Sequence, residues 1–211
     1  MTVKDCLRQG MDGAPRHHGG AYRYSVTDGI GGPAGIMHRP TYPEPLMKRV
    51  LLAGATGLVG QVTLQRALAS TAVSEVVAPT RRPLPAHPKL LNPVVDFDAL
   101  PGDAAWWQVD AVACALGTTI RDAGSRDAFR RVDHDYPLAV ARLAHDHGIP
   151  VYVLNSATGA DARSRFFYNR VKGELEAALI ALGYPALVLV RPGLIDGDRT
   201  QPRPGERLAL V

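Results

Sequence analysis

Short apolar runs recur along the chain from Met47 onward, and none of them alternates regularly between apolar and polar residues. Runs of this kind are typical of parallel strands that are buried on both faces of a sheet. Their lengths suit strands better than helices. The pattern predicts six strands, at residues 49–54, 75–79, 92–97, 110–117, 150–156 and 185–192.

Longer segments between these runs carry apolar residues at helical spacing, at residues 58–70, 127–148 and 168–183. Gly148 and Gly183 stand where the second and third helices would stop. Pro137 lies inside the second segment and predicts a helix start or a kink there. The alternation of strands and helices predicts the α/β class, a doubly wound parallel sheet with right-handed crossovers.

Residues 1–46 have a different character, with 8 glycines and 5 prolines and no sustained period. A segment of this composition buries too little apolar surface to offset the entropy lost on ordering. One interpretation is a disordered N-terminal extension. The other is a mis-assigned start, with translation beginning at Met47 and the folded domain spanning residues 47–211. We favour the second, because doubly wound domains often open directly on a strand.

Composition excludes several classes of protein. The chain is 46% hydrophobic and 21% charged, as is normal for a soluble domain, and its net charge of +4 is too small to indicate nucleic-acid binding. No apolar run is long enough for a membrane span, and the first ten residues contain no secretion signal. Cys6 and Cys114 form no disulfide framework, and the pair His17 and His18 lacks partners for a metal site. A cytoplasmic setting is the simplest expectation.

Three glycines spaced three apart lie where the first strand meets the first helix. At such a junction Gly54 permits a tight turn, Gly57 lets the backbone approach a pyrophosphate, and Gly60 allows the helix to pack closely on the strand. The phosphates then lie at the N-terminus of the helix. The turn predicts a dinucleotide-binding site, with contacts from Gly54, Thr56, Gly57, Leu58, Val59 and Gly60.

The residues after the second strand indicate which dinucleotide is bound. Sites that prefer NAD place an acidic residue about 20 positions after the glycine turn, where it holds the ribose 2′-hydroxyl. Here that place is occupied by Thr80, Arg81 and Arg82. Guanidinium groups can bind a 2′-phosphate through paired hydrogen bonds, so Arg81 and Arg82 favour NADP(H) over NAD(H). The alternative is that both are solvated loop charges.

Two further groups of residues close predicted strands and belong to the expected cofactor path. Asp96 and Phe97 end the third strand, near the expected position of the adenine. Leu116, Gly117 and Thr118 end the fourth strand. Ligands of open α/β sheets bind at this carboxyl edge.

Tyr168 and Lys172 are four residues apart and therefore share one face of the third helix. A cation near a phenol favours the phenolate and lowers the pKa of the tyrosine, which makes it useful for moving a proton. Ser156 ends the fifth strand at the same edge and could bond a substrate carbonyl. The alternatives are a plain helix face and a turn serine.

These motifs resemble those of the short-chain dehydrogenase/reductase family. "GATGLVG" looks like the turn of its extended and atypical branches, which have an NAD(P)-binding Rossmann fold. "NSATGAD", "FFYNRVKGELE" and "VLVRPGLIDGDR" are most similar to the atypical subgroup of the Tat-interacting tumour-suppressor oxidoreductase and its bacterial relatives. The resemblance covers about residues 48–200.

The resemblance implies reductase chemistry with NADPH, using Ser156, Tyr168 and Lys172. It also implies a nicotinamide side lined by Pro192, Gly193, Leu194 and Ile195. The chain departs from the family at Asp133, which lies near the place of a catalytic asparagine. That departure bears on the proton relay that the asparagine supports.

The expected function is therefore an NADPH-dependent oxidoreductase acting on a small carbonyl-like substrate. The alternatives are an NADPH-binding sensor with little turnover and a sugar-nucleotide epimerase or dehydratase. Relatives usually continue for some tens of residues beyond the last motif, with helices that wall the substrate pocket. The C-terminal substrate part is therefore expected to be short or missing here. The apolar surface left uncovered would be covered by a partner subunit, in a homo-oligomer, or the chain would be a truncated and unstable product.

Overall fold

The computed structural model describes residues 48–193. The predictions for residues 1–46, the start at Met47 and the nicotinamide-side residues Leu194 and Ile195 lie outside this range. No helix within the described range is both long enough and apolar enough to cross a membrane.

The described residues form one six-stranded parallel sheet with the order β3-β2-β1-β4-β5-β6. This confirms the predicted doubly wound α/β fold. The chain crosses from one half of the sheet to the other between β3 and β4, and the strand order reverses between the neighbouring strands β1 and β4. The strands are β1 Lys48–Ala53, β2 Val73–Val77, β3 Leu90–Leu91, β4 Ala111–Cys114, β5 Val151–Asn155 and β6 Ala186–Val190.

The third strand was predicted in the wrong place. It is only two residues long and precedes the predicted segment 92–97, in which Val94 makes one isolated bridge to Thr80. Pro93 has no N–H to donate to a ladder. The side chain of Asn92 instead donates to the Ala78 carbonyl at 2.6 Å and the Thr80 hydroxyl at 2.8 Å, so side-chain bonds replace regular pairing.

The end of β1 is buried on both faces, as its unbroken apolar run predicted, whereas β5 alternates buried with half-buried residues and β6 is half-buried or exposed throughout. Leu51 belongs to the larger core cluster, while its neighbour Leu52 belongs to a smaller cluster on the other side of the sheet. Both side chains are at most 1% exposed. Successive residues of a strand point to opposite faces, so two covered faces require apolar residues at every position.

Within residues 48–193, five α-helices connect the strands: α1 Leu58–Ala69, α2 Ile120–Ala123, α3 Arg126–Arg130, α4 Tyr136–Asp146 and α5 Phe167–Leu182. A short 3₁₀ turn also spans Ala105–Trp107. α1 and α5 agree with the prediction within one residue at each end. α5 is followed by Gly183 in the left-handed conformation, with a φ of +74°.

The second predicted helix, 127–148, is interrupted. A π-helical segment, Arg131–Asp135, joins α3 to α4. Pro137 follows it in the first turn of α4. A proline ring clashes with the carbonyl four residues earlier, here that of Asp133, and this favours the wider π turn.

Candidate active site

A cavity of about 230 Å³ opens at the carboxyl edge of the sheet, where the loops after β1, β2 and β4 meet. This is the point at which the strand order reverses, and ligands of open α/β sheets bind there. The lining residues are Gly54, Thr56, Gly57, Pro79, Thr80, Arg81, Phe97, Ala115, Leu116, Gly117, Val132 and Tyr136.

The three glycines of the first turn differ in how closely other atoms approach the position of a Cβ. Gly54 has a φ of +89°, and a Cβ there would lie 2.6 Å from the Ala115 carbonyl carbon. A Cβ on Gly60 would lie 1.9 Å from the Gly54 carbonyl oxygen. Gly57 has no such conflict, since its nearest neighbour would be 3.5 Å away. Packing within the protein requires Gly54 and Gly60, whereas Gly57 keeps the cavity floor open for a ligand.

The remaining predicted residues of this turn have different surroundings. Leu58 and Val59 begin α1 and do not line the cavity, and Gly60 is buried beneath it. Thr56 is exposed at the cavity. The backbone N–H groups at the start of α1 face this edge without a side-chain cap. Such groups suit an anion.

The two predicted arginines differ in their position relative to the cavity. Arg81 lines the cavity, whereas Arg82 does not. Between β2 and these arginines, Thr80 fixes the loop by donating its hydroxyl to the Arg82 carbonyl at 2.7 Å. The cavity lining contains no carboxylate.

Phe97 reaches the cavity and packs against Tyr136, with ring centroids 5.6 Å apart. Asp96 does not line it; its carboxylate is exposed and accepts from the Asp98 backbone N–H at 2.9 Å. Val132 and Tyr136, which come from the π turn and the start of α4, were not predicted from the sequence. The helical spacing alone did not show which face of that interrupted helix meets the cavity.

Gly117 links the cavity to the predicted proton-transfer residues. It lines the cavity together with Leu116. A Cβ on Gly117 would lie 3.4 Å from Asp133 Oδ1 and 3.9 Å from Lys172 Nζ. The next residue, Thr118, donates its backbone N–H to Asp133 Oδ2 at 2.7 Å.

Lys172 forms a buried ion pair with Asp133. The distance between Lys172 Nζ and Asp133 Oδ1 is 2.7 Å, and the two residues are 3% and 1% exposed. Burial raises the pKa of Asp133 above its usual value, and the Lys172 ammonium opposes that rise. The ammonium predicted to act on Tyr168 therefore has a carboxylate partner.

Tyr168 is 39% exposed, on the turn of α5 that precedes Lys172. Its ring packs against buried Phe129 of α3, with centroids 5.7 Å apart. Among the hydrogen bonds of residues 48–193, none is made by the Tyr168 hydroxyl. The phenol is thus held by its ring and open to a partner from solvent or substrate.

Ser156 is buried and donates its hydroxyl to Glu176 Oε1 at 2.5 Å. Glu176 also pairs with Arg191, whose Nε donates to Oε1 at 3.0 Å and whose terminal nitrogen donates to Oε2. This carboxylate raises the pKa of Arg191. Glu176 was not predicted from the sequence, although its position four residues after Lys172 puts it on the same helix face.

The loop after β5, which begins at Ser156, also holds the chain just after β6. Thr158 donates its backbone N–H to the Pro192 carbonyl at 3.1 Å and its hydroxyl to the same oxygen at 2.8 Å. Gly193 has nothing within 4 Å of a Cβ position in the described structure. The predicted nicotinamide side is thus anchored at Pro192.

Curated relatives are similar in sequence to this chain over about three quarters of its length. HTATIP2 of Rattus norvegicus is 42% identical over 167 residues, which are 77% of this chain and 69% of the relative. Fmp52 of Emericella nidulans is 38% identical over 171 residues, which are 77% of this chain and 73% of the relative. No protein-family model matches.

Solved structures of low sequence identity share the fold. MoeE5 in complex with UDP-glucose and NAD superposes with a TM-score of 0.57 at 17% identity, covering 68% of this chain and 53% of that one. UDP-glucuronic acid 4-epimerase from Bacillus cereus, in complex with NAD, gives 0.56 at 12% identity, covering 69% and 56%. This chain thus covers about half the length of these two proteins.

The prediction of a cytoplasmic setting is contradicted, because the Fmp52 relatives of Emericella nidulans, Aspergillus niger and Eremothecium gossypii are named mitochondrial proteins. The fold and the relatives agree with the resemblance seen in the sequence motifs. The glycine turn is built on a Rossmann sheet, and relatives above 30% identity cover 77% of the chain. The chain belongs to the atypical short-chain dehydrogenase/reductase family, together with HTATIP2 and the Fmp52 proteins.

Proposed function

We propose that this protein is an NADP(H)-dependent oxidoreductase that acts on a small carbonyl-like substrate or the corresponding alcohol. The observation that carries the proposal is the continuity of the site. The glycine-turn cavity leads through Gly117 to the Asp133–Lys172 pair, and Lys172 shares a helix face with Tyr168. Family membership supports oxidoreductase chemistry.

The residues at the cavity fit a dinucleotide. Gly57 leaves space for a ligand at the N-terminus of α1, where backbone N–H groups and the helix dipole favour a pyrophosphate. Arg81 lines the same cavity without an accompanying carboxylate, which favours a 2′-phosphate over a ribose hydroxyl. Phe97 and Tyr136 offer aromatic surface for a base.

A bound nicotinamide would supply or accept a hydride at this site. Tyr168 would exchange the proton at the substrate oxygen, because its hydroxyl is exposed and makes no hydrogen bond within the described residues. Lys172 would place its positive charge on the same helix face as Tyr168. The neighbouring Asp133 carboxylate offsets part of that charge.

Ser156 would orient the substrate oxygen. Its single proton is directed at Glu176, so in this arrangement its remaining lone pairs can accept from a substrate hydroxyl. Rotation of the hydroxyl away from Glu176 would let it donate to a carbonyl, with Arg191 still paired to the carboxylate.

The test replaces Tyr168 with phenylalanine, which removes the proton donor and keeps the ring against Phe129. We expect kcat/KM to fall by about 100-fold or more, since general acid–base catalysis contributes on that scale. The dissociation constant for NADPH, measured by fluorescence titration, should stay within about twofold.

A panel of aldehydes, ketones and quinones identifies the substrate used in that comparison. Equal turnover by wild type and Tyr168→Phe would contradict the proposed role of the tyrosine. Tight NADPH binding with no turnover of any compound in the panel would favour the NADPH-binding sensor instead.

A further inference from the structure

Asp133 accepts hydrogen bonds from two elements that are far apart in the sequence. One carboxylate oxygen accepts from Lys172 Nζ on α5 at 2.7 Å. The other accepts from the Thr118 backbone N–H, in the loop after β4, also at 2.7 Å. The side chain is 1% exposed, so water cannot replace either bond without a change in packing.

The backbone around Asp133 is itself fixed. Asp133 lies in the middle of the π segment Arg131–Asp135, which places its side chain under the loop after β4. Pro137 follows this segment, and its carbonyl accepts from the buried Tyr152 hydroxyl of β5 at 2.9 Å. Two packed elements thus determine where the carboxylate lies.

An asparagine of the same shape could not make both bonds. Its amide has one carbonyl oxygen, which accepts, and one NH₂ group, which only donates. If the oxygen faced Lys172, the NH₂ group would face the Thr118 N–H, which is also a donor. In the opposite orientation the NH₂ group would face the Lys172 ammonium, which is also a donor. Both carboxylate oxygens are therefore needed here.

We propose that Asp133 is a positioning residue that holds Lys172 and the Gly117–Thr118 loop in one arrangement, so that the cofactor cavity and the proton-transfer helix are fixed to each other. This inference rests on the proposed function. Asp133 acts through Lys172 and Thr118, and Gly117 brings the effect to the cavity wall.

The first experiment compares Asp133→Asn with Glu174→Gln in the full chain. Glu174 is the control, because it also forms an ion pair on α5, with Arg130 of α3 at 2.5 Å, but is only half-buried and lies outside the site. We expect Asp133→Asn to weaken NADPH binding about tenfold or more and to lower kcat more than it changes KM. Glu174→Gln should match the wild type in both.

A double-mutant cycle with Lys172→Met keeps the test decisive if Asp133→Asn folds poorly. Removing one partner of a buried ion pair leaves the other charge uncompensated, whereas neutralising both does not. The double variant should therefore melt at a higher temperature than either single variant. Its kcat should equal that of Lys172→Met alone, because Asp133 would have no ammonium left to position.

The outcomes separate the two proposals. If the wild type binds NADPH and Asp133→Asn is indistinguishable from it, the role of Asp133 is overturned and the proposed function stands. A double variant with kcat well below that of Lys172→Met would also overturn it, since Asp133 would act independently of the lysine. A wild type that binds no NADPH would overturn the proposed function and this inference with it.

Discussion

Two adjacent arginines show that a shift of one position along the chain decides whether a side chain reaches the cavity. Arg81 and Arg82 carry the same charge and are both exposed, yet only Arg81 lines the cavity. The difference arises because the Thr80 hydroxyl holds the Arg82 carbonyl and so fixes the direction of the loop. Charge near the site is therefore not equivalent to charge in the site.

The prediction is that Arg81→Gln weakens NADPH binding more than Arg82→Gln does. A hydrogen bond between charged groups is worth about 1.5–3 kcal/mol, so Arg81→Gln should lower NADPH affinity about tenfold or more. NADH lacks the 2′-phosphate, so its affinity should change little in either variant. Titration of both variants with both cofactors measures this, and equal losses from the two substitutions would contradict it.

Distance along the sequence explains which residues of the candidate site could be predicted. The glycine turn and the Tyr168–Lys172 pair each lie within one short segment, and their spacing alone fixes their geometry. The bonds of Asp133 and Ser156 join residues 15 to 39 positions apart along the chain. Such contacts depend on how helices pack, which spacing does not reveal.

At the scale of elements, the π segment between α3 and α4 is the feature that shapes the site. It brings Val132 to the cavity and Asp133 to Lys172. Tyr152 of β5 supports it through the Pro137 carbonyl, whereas Tyr184 donates to the Ala141 carbonyl further along α4. Two buried phenols thus contact the same helix, but only one contacts the part beside the site.

The prediction compares Tyr152→Phe with Tyr184→Phe. Each variant loses one buried hydrogen bond, so each should lower the free energy of unfolding by about 1 kcal/mol. Only Tyr152→Phe should also weaken NADPH binding, because only it releases the start of α4. Urea unfolding and NADPH titration measure the two effects. A similar loss of binding in Tyr184→Phe would show that general destabilisation is the cause.

The sequence predicted elements well where one signal dominated. Five of the six strands were placed within a few residues, because short unbroken apolar runs between helical segments mark the strands of a parallel sheet. The third strand was misplaced, since Pro93 and the side-chain bonds of Asn92 replace ladder pairing. Pro137 predicted a helix start or a kink within the second helix, but nothing in the sequence predicted the π segment that precedes it.

At the scale of the whole molecule, burial makes the protein sensitive to alkali. Burial raises the pKa of the phenols of Tyr152 and Tyr184 above their ordinary value of about 10. Above that pH the unfolded chain loses protons that the folded chain keeps. The two protonated phenols therefore contribute their full share of the free energy of unfolding below about pH 10, and this share is lost as the pH rises further.

We expect the free energy of unfolding of the wild type to fall above pH 10 more steeply than that of the Tyr152→Phe/Tyr184→Phe double variant. The extra slope should reach at most about 1.4 kcal/mol per pH unit for each phenol. Urea unfolding at a series of pH values measures both slopes. Parallel curves would mean that other groups control the alkaline limit.

The bonds of Asp133 also bear on how the protein folds. Its carboxylate joins the loop after β4, the π segment and α5, which meet only when β4 and β5 have paired and α5 has packed onto them. No short piece of the chain contains this arrangement, so the site cannot form ahead of the domain. Acquisition of cofactor affinity and completion of folding should be one cooperative event.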